Sequence, residues 1–274
     1  MVVFPNCKIN LGLNVLRKRE DGFHDIETFF YPLPLKDALE VITGSEIETS
    51  VQFTTSGIAI EGKEEDNLCI KAYYLLKQFH PQLPNIKMHL HKAILMGAGL
   101  GGGSADGAFT LQLLNDKYRL QLLPEQLINY ASQLGSDCAF FIINKPCFAE
   151  GRGEILTPLS LDLSAYTFVI VNPGIHVNTG WGYAQLHPHV PQKSIKEIIL
   201  QPVETWKTEL VNDFEEAIFK AYPEIEAIKK ELYQKGAVYA SMSGSGSSVY
   251  GLFKKDDIQF NFPSHWRVLM IKNQ

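Results

Sequence analysis

The chain has 274 residues, a formal charge of −5, 45% hydrophobic and 20% charged residues. That is room for one large or two modest globular domains, without the basic footprint of a nucleic-acid binder or an apolar run of membrane-spanning length. Cys7, Cys69, Cys138 and Cys147 are scattered with no C-x-x-C pair. With no basic-then-apolar layout at the N-terminus, free thiols in a reducing cytoplasm are expected.

In chain order, Cys7–Val15 alternates. Cys7, Ile9, Leu11, Leu13 and Val15 lie on an apolar face, and Lys8, Asn10, Gly12 and Asn14 on the other, which faces a cleft or solvent. Asp21-Gly22 predicts a tight turn, with a second strand over Phe23–Tyr31 until Pro32 and Pro34 end it. Leu39–Ile60 reads as two or three strands. Asp66 or Asn67 caps a helix to about Phe79 that buries Leu68, Ala72, Leu75 and Phe79. Ile86–His91 alternates strictly, as an antiparallel strand wet on one face does. His89/His91 and His187/His189 have no metal-ligand spacing around them and read as strand and loop residues.

Next comes Leu95-Met96-Gly97-Ala98-Gly99-Leu100-Gly101-Gly102-Gly103-Ser104-Ala105, with glycine at 97, 99, 101, 102 and 103. Such a run is entropically costly and suits a backbone that approaches a ligand closely. Ala105–Asn115 then reads as a helix with Ala105, Ala108, Phe109 and Leu113 on one face. A glycine loop opening into a helix N-terminus points free N–H groups at one spot, which suits phosphate. Gly97-x-Gly99-x-x-Gly102 matches the dinucleotide fingerprint in spacing, but neither the parallel strand before it nor the acid after it is present. Gly97–Ser104 has Walker spacing with Gly103 where the lysine belongs.

Pro124 begins a helix burying Leu127, Ile128, Ala131 and Leu134, and Gly135 stops it. Locally, Asp137 reads as a cap or turn residue before the apolar run Cys138–Ile143. Phe148–Leu156 reads as a bulged strand pair, and Phe168–Val171 as a short buried strand ended at Asn172-Pro173-Gly174. Ile195–Leu200, Val211–Ala221 and Pro223–Lys235 read as helices, with Gly236 capping the last. Val249–Phe253 and Val268–Ile271 read as strands. Ser241–Ser248 is a second small-residue loop, placed between a helix and a strand and expected to close on a ligand.

Three stretches together resemble the GHMP kinase superfamily: the Lys8-Ile9-Asn10-Leu11-Gly12-Leu13 strand, the central glycine loop and the Ser-Gly-Ser-Gly loop. Arg19–His24, Leu134–Asp137 and Glu150–Leu156 extend the likeness to the family of 4-diphosphocytidyl-2-C-methyl-D-erythritol kinases of the non-mevalonate isoprenoid pathway. The resemblance implies an α+β, two-domain GHMP kinase architecture, with an ATP-binding and catalytic domain over 1–155 and a ferredoxin-like domain over 156–274. It implies ATP-dependent phosphorylation of the 2-hydroxyl of the erythritol unit. Lys8 and Asp137 fall on the catalytic positions, and residues 95–105 on the ATP-binding loop. Asn10, Phe23, His24, Tyr183, Gly244 and Gly246 fall at the substrate. Mg²⁺ is expected with the triphosphate, with Ser104 as a ligand. Two residues depart from the family pattern: Phe23 stands where tyrosine is usual and Leu95 where proline is usual. The rival readings are a kinase for another small alcohol such as homoserine or mevalonate, an NAD(P)-dependent oxidoreductase, and a non-catalytic ATP-binding paralogue. The expected partners are small molecules, with neither a nucleic-acid polymer nor a membrane, and the expected assembly is a monomer or homodimer.

Overall fold

The computed structural model describes residues 1–44, 49–254 and 258–272. Its first elements are β1 (Val2–Val3), β2 (Asn6–Lys18), β3 (His24–Lys36), β4 (Ala38–Thr43), β5 (Val51–Gly57), α1 (Leu68–Phe79), β6 (Ile86–Lys92) and α2 (Gly102–Tyr118). There follow α3 (Pro124–Leu134), α4 (Cys138–Ile143), β7 (Cys147–Glu150), β8 (Ile155–Pro158), β9 (Thr167–Asn172) and α5 (Thr179–Gln185). The chain continues through α6 (Ile195–Ile198), α7 (Trp206–Glu209), α8 (Phe214–Ala221), α9 (Pro223–Gln234), β10 (Tyr239–Met242), β11 (Val249–Phe253) and β12 (Arg267–Lys272). They divide into two compact units that interleave along the chain. Met1–Cys7, Leu35–Met96 and Gly101–Lys145 make the first, and Lys8–Pro34, Gly97–Leu100 and Pro146–Gln274 the second.

In the first unit the sheet order is β1-β4-β6-β5. β6 alternates as expected, burying Ile86, Met88, Leu90 and Lys92, and it pairs antiparallel with β4. Its other neighbour, β5, is parallel, which needs a crossover, and α1 supplies it. Leu39–Ile60 holds two strands, with residues 45–48 outside the described ones. Asn67 caps α1, its side chain accepting from the Cys69 amide at 2.9 Å.

The buried residues of α1 are Cys69, Ile70, Ala72, Tyr73 and Leu76; of the expected set Ala72 is buried, while Leu68 and Leu75 are half-buried. Phe79 is 58% exposed, its ring tilted against Tyr130. Apolar residues run nearly all round this helix, so periodicity alone does not choose a face. α1 packs on α2, where a Cβ on Gly107 would meet the Leu68 Cβ at 2.9 Å, so glycine there lets the helices approach closely. α3 runs as expected from Pro124 to Gly135, burying Leu127 and Ala131, with Ile128 and Leu134 half-buried. The apolar run Cys138–Ile143 is helix α4.

The second unit holds two sheets, β2-β3-β7-β8 and β10-β11-β9-β12. Leu13, Val15 and Ile26 join Val169, Val171, Ile218, Ile228, Leu232 and Val249 in one apolar core. β3 runs through both prolines to Lys36. Pro32 and Pro34, two residues apart, put their missing donors on one edge, and β7 pairs with β3 only over Thr28–Phe30. β7 and β8 form an unbulged hairpin, Glu150 opposite Ile155 and Ala149 opposite Leu156, so the glycines of this stretch lie in the turn. α8 starts at Phe214, later than expected, because the backbone before it is committed to β2. The Leu13 amide donates to Val211 O at 2.9 Å and the Asp213 amide to Leu13 O at 2.8 Å. Ser241–Ser248 does not follow a helix. It contains the end of β10 and the turn of an antiparallel hairpin with β11.

Candidate active site

In the second unit Lys8 and Asn10 lie on the polar face of β2, but that face is buried: they are 3% and 2% exposed. The Lys8 ammonium donates to Asn10 Oδ1 at 2.5 Å and stands 4.8 Å from the Phe30 ring centroid. Asn10 Nδ2 donates to Thr28 Oγ1 at 3.0 Å, which fixes the amide so that its oxygen faces the lysine. An ammonium held this way is desolvated, and electrostatic interactions count for more there than in water.

The first part of the glycine loop is bonded to this strand and to the hairpin turn after β10. Lys8 N–H donates to Leu100 O at 2.9 Å and Ser248 N–H to Ala98 O at 3.3 Å. Ser243 Oγ donates to Gly99 O at 2.7 Å and accepts from the Asn10 amide. Gly99 has φ +78°, and a Cβ there would fall 1.9 Å from Ser243 O. One on Gly244 would lie 3.3 Å from Gly99 Cα, and one on Gly246 2.7 Å from Met242 Sδ. Close approach of protein backbone thus constrains Gly99 and its partner Gly244 to glycine.

Asn212, unremarked in the sequence, holds the turn in place. Its Nδ2 donates to Met242 O at 2.8 Å and Gly244 O at 2.9 Å, and its Oδ1 accepts from the Phe214 amide. Before a helix, asparagine reads as an ordinary cap, and nothing local reveals carbonyl partners some thirty residues on. Asn212→Ala leaves these buried carbonyls short of donors and should cost about 2 kcal/mol or more in chemical denaturation. A loss under about 0.5 kcal/mol would mean that the turn holds without it.

His24 and Tyr183 stack on each other, with ring centroids 4.7 Å apart and planes at 12°, and Tyr183 sets its edge against Phe214. Burial, followed by the charge of Lys18, lowers the His24 pKa. A neutral imidazole offers one donor and one acceptor, the complement of a base edge. Phe23 is 51% exposed, with the Arg152 guanidinium 4.5 Å over one face of its ring.

In the first unit α2 begins at Gly102, earlier than Ala105, so Gly102, Gly103 and Ser104 form its first turn. Gly101 at the N-cap has φ +70°, a conformation that favours glycine. The Ala105 amide donates back to Gly101 O at 2.9 Å. The amides of 102–104 come before that ladder begins and lie at the positive end of a 17-residue helix. Ala98, Leu100 and Ala105 are buried, Leu95 is half-buried and Met96 is exposed. Asp137 occupies the N-cap position of α4 without making a side-chain cap bond, so the geometry gives its carboxylate no capping duty. Burial pushes the Cys138 thiol up to about 12, opposed by a hydrogen bond with Ser104 and helped by the charge of Asp137. The Ser104 hydroxyl and the Asp137 carboxylate therefore both act on this one thiol. Among the described residues no group of three His, Cys, Asp or Glu side chains could hold a metal ion.

The family model for the GHMP kinases N terminal domain matches residues 67–145, and that for the GHMP kinases C terminal matches 195–267. The chain belongs to the GHMP kinase family. Among GHMP kinases it is 54% identical to the 4-diphosphocytidyl-2-C-methyl-D-erythritol kinase of Bacteroides fragilis (strain YCH46), over 94% of this chain and 93% of that protein. A crystal structure of 4-(cytidine 5'-diphospho)-2C-methyl-D-erythritol kinase superposes with TM-score 0.79 and 31% identity, covering 92% of this chain and 90% of the other. The homoserine kinase of Cytophaga hutchinsonii superposes with TM-score 0.68 at 14% identity, covering 97% and 94%, and shows the fold alone. The expected two-domain GHMP kinase fold of mixed helices and sheets is therefore correct. A nicotinamide oxidoreductase and a homoserine-type kinase are not favoured. No helix among the described residues is long and apolar enough to cross a membrane.

Proposed function

We propose that this GHMP kinase transfers the γ-phosphoryl group of ATP to the 2-hydroxyl of 4-diphosphocytidyl-2-C-methyl-D-erythritol, releasing ADP. What carries the choice of acceptor is the 54% identity with a kinase of that name over nearly the whole chain. We assign the ATP-binding and catalytic domain to 1–155 and the C-terminal domain to 156–274. The amides of the Gly97–Ser104 loop, above all those opening α2, bind the phosphates. Lys8 supplies the cation that the loop's own sequence lacks. Asp137 accepts or orients the proton of the attacking hydroxyl.

Ser104, with its hydroxyl in the first turn of α2, is the side chain proposed to touch Mg²⁺. The donor set suits an ion that keeps phosphate and water ligands rather than one caged by protein. Magnesium would neutralise charge on the triphosphate. The deciding assay is ADP release with the diphosphocytidyl substrate set against homoserine, mevalonate and other free alcohols. Turnover confined to a free alcohol would overturn the reading.

Phe23, His24 and Tyr183 are proposed to bind the cytosine, with Asn10 toward the diphosphate and erythritol end and Gly244 and Gly246 lining the substrate. With Arg152 on one face of Phe23, the base takes the other face. Phe23→Ala should raise the KM for the cytidine substrate by about 10-fold or more while leaving that for ATP alone. Phe23→Tyr should be nearly neutral, since the ring face does the stacking. An unchanged cytidine-substrate KM in Phe23→Ala would place the base elsewhere.

A further inference from the structure

Both ends of the glycine loop are anchored in the first unit, at Ala93–Ile94 and at the start of α2, and a buried ionic cluster connects them. Lys92 ends β6 on its apolar face, with a fully buried side chain. Its ammonium donates to Asp37, between β3 and β4, and to Asp106 Oδ2 at 2.7 Å, one turn into α2. Asp37 turns its other oxygen to the chain leading into the loop, accepting from the Ala93 amide at 2.6 Å and the Ile94 amide at 2.8 Å. Lys92 O accepts from the Ile58 amide, so residues 92–94 are held from both sides. Glycine at 102 completes the contact. A Cβ there would meet Ile94 Cγ2 at 2.7 Å and Lys92 Nζ at 3.1 Å.

As a source of stability this cluster is a poor choice. Two carboxyl groups face one ammonium, burial pushes Asp106 up to about 8 against the pull of Lys92, and Asp106 Oδ1 is buried without a hydrogen-bond partner. Buried ion clusters are often matched or bettered by apolar side chains of similar volume. What the cluster does provide is direction. It ties two backbone amides at one end of the loop, through one lysine, to the first turn of the helix whose amides face the phosphates. A phosphate site built from backbone is sensitive to shifts well under 1 Å, and a desolvated ionic network fixes position better than apolar packing does.

We infer that Lys92, Asp37 and Asp106 are positioning residues for ATP, setting the first-turn amides of α2 against the Ala93–Ile94 end of the loop. The inference rests on the ATP-binding reading of that loop. The test measures ATP binding by calorimetry alongside KM and kcat. Wild-type protein that binds no ATP would sink the functional reading itself, independently of the cluster.

Asp106→Asn keeps the shape and replaces the carboxyl group, which burial pushes up to about 8, with an amide. It should weaken ATP binding and raise the ATP KM by about 10-fold, with kcat at saturating ATP and the cytidine-substrate KM within about 2-fold of wild type. Should Asp106→Asn fail to fold, the triple variant Lys92→Met/Asp37→Asn/Asp106→Leu leaves no buried charge in the cluster. Its side-chain carbonyl at position 37 can still accept from the two backbone amides. It should fold and show the same ATP-specific defect. A folded variant of either kind with wild-type ATP affinity, or one whose loss falls on kcat or equally on both substrates, would overturn the inference.

Discussion

Valine in place of Gly103 is expected to abolish high-affinity ATP binding in a protein that still folds. The glycines of the loop are not equivalent, and this one isolates the ligand. At Gly99 a Cβ would collide with the Ser243 carbonyl, and at Gly102 with Ile94. Gly101 has φ +70°, so any side chain there strains the helix start. A Cβ on Gly103 would meet only the flexible end of Met96, Cε at 3.6 Å and Sδ at 3.8 Å, which is ordinary contact. Valine costs little in a first helical turn. Its methyls, however, tilt toward the helix N-terminus, as every Cα–Cβ bond in a helix does. They would then stand over the amides proposed to bind phosphate. Affinity for ATP should fall by about 10²-fold, with the thermal midpoint near wild type, and Gly103→Ala should fall between. Wild-type ATP affinity in folded Gly103→Val would move the phosphates off the first turn of α2.

That contrast also explains what the sequence could and could not disclose. Glycine density marked the loop, but not that the helix already begins at Gly102. Composition says loop, whereas hydrogen bonding to Gly101 says helix. Nor could it separate Gly99, which admits the Ser243 carbonyl, from Gly103, which packs against nothing rigid. That difference depends on a turn more than a hundred residues further along. Strict alternation exposed β6 and the two faces of β2. It could not show that the Lys8 face is buried as deeply as the apolar one, because burial on both faces comes from segments distant in sequence. β10 was hidden by its own residues: Ser241 and Met242 read as part of a small-residue loop, and pairing with β11 makes them strand. Lys92, Asp37 and Asp106 carried no local signal either. One falls on the apolar face of a strand, one between strands and one in a helix, and burial together is what makes them a cluster.

Asp137→Asn should leave the fold and ATP binding intact and lower kcat by about 10²-fold or more, the usual scale for losing a general base. Asn keeps the shape of the side chain. The side chain makes no cap bond at this position, so the change does not uncap α4. Lys8→Ala should be comparably damaging to kcat. Its Asn10 and Phe30 contacts make some loss of packing unavoidable, so Lys8→Met, which keeps most of the stem, is the cleaner variant. If Lys8 neutralises the phosphoryl group that the hydroxyl aligned by Asp137 attacks, both serve one transition state. The Lys8→Met/Asp137→Asn double variant should then lose much less than the product of the single losses, because residues that act as a unit are not additive. Purely multiplicative losses would assign them to separate steps. Near-normal turnover by Asp137→Asn would take the carboxylate out of the chemistry and leave it a local role beside Cys138 and Ser104.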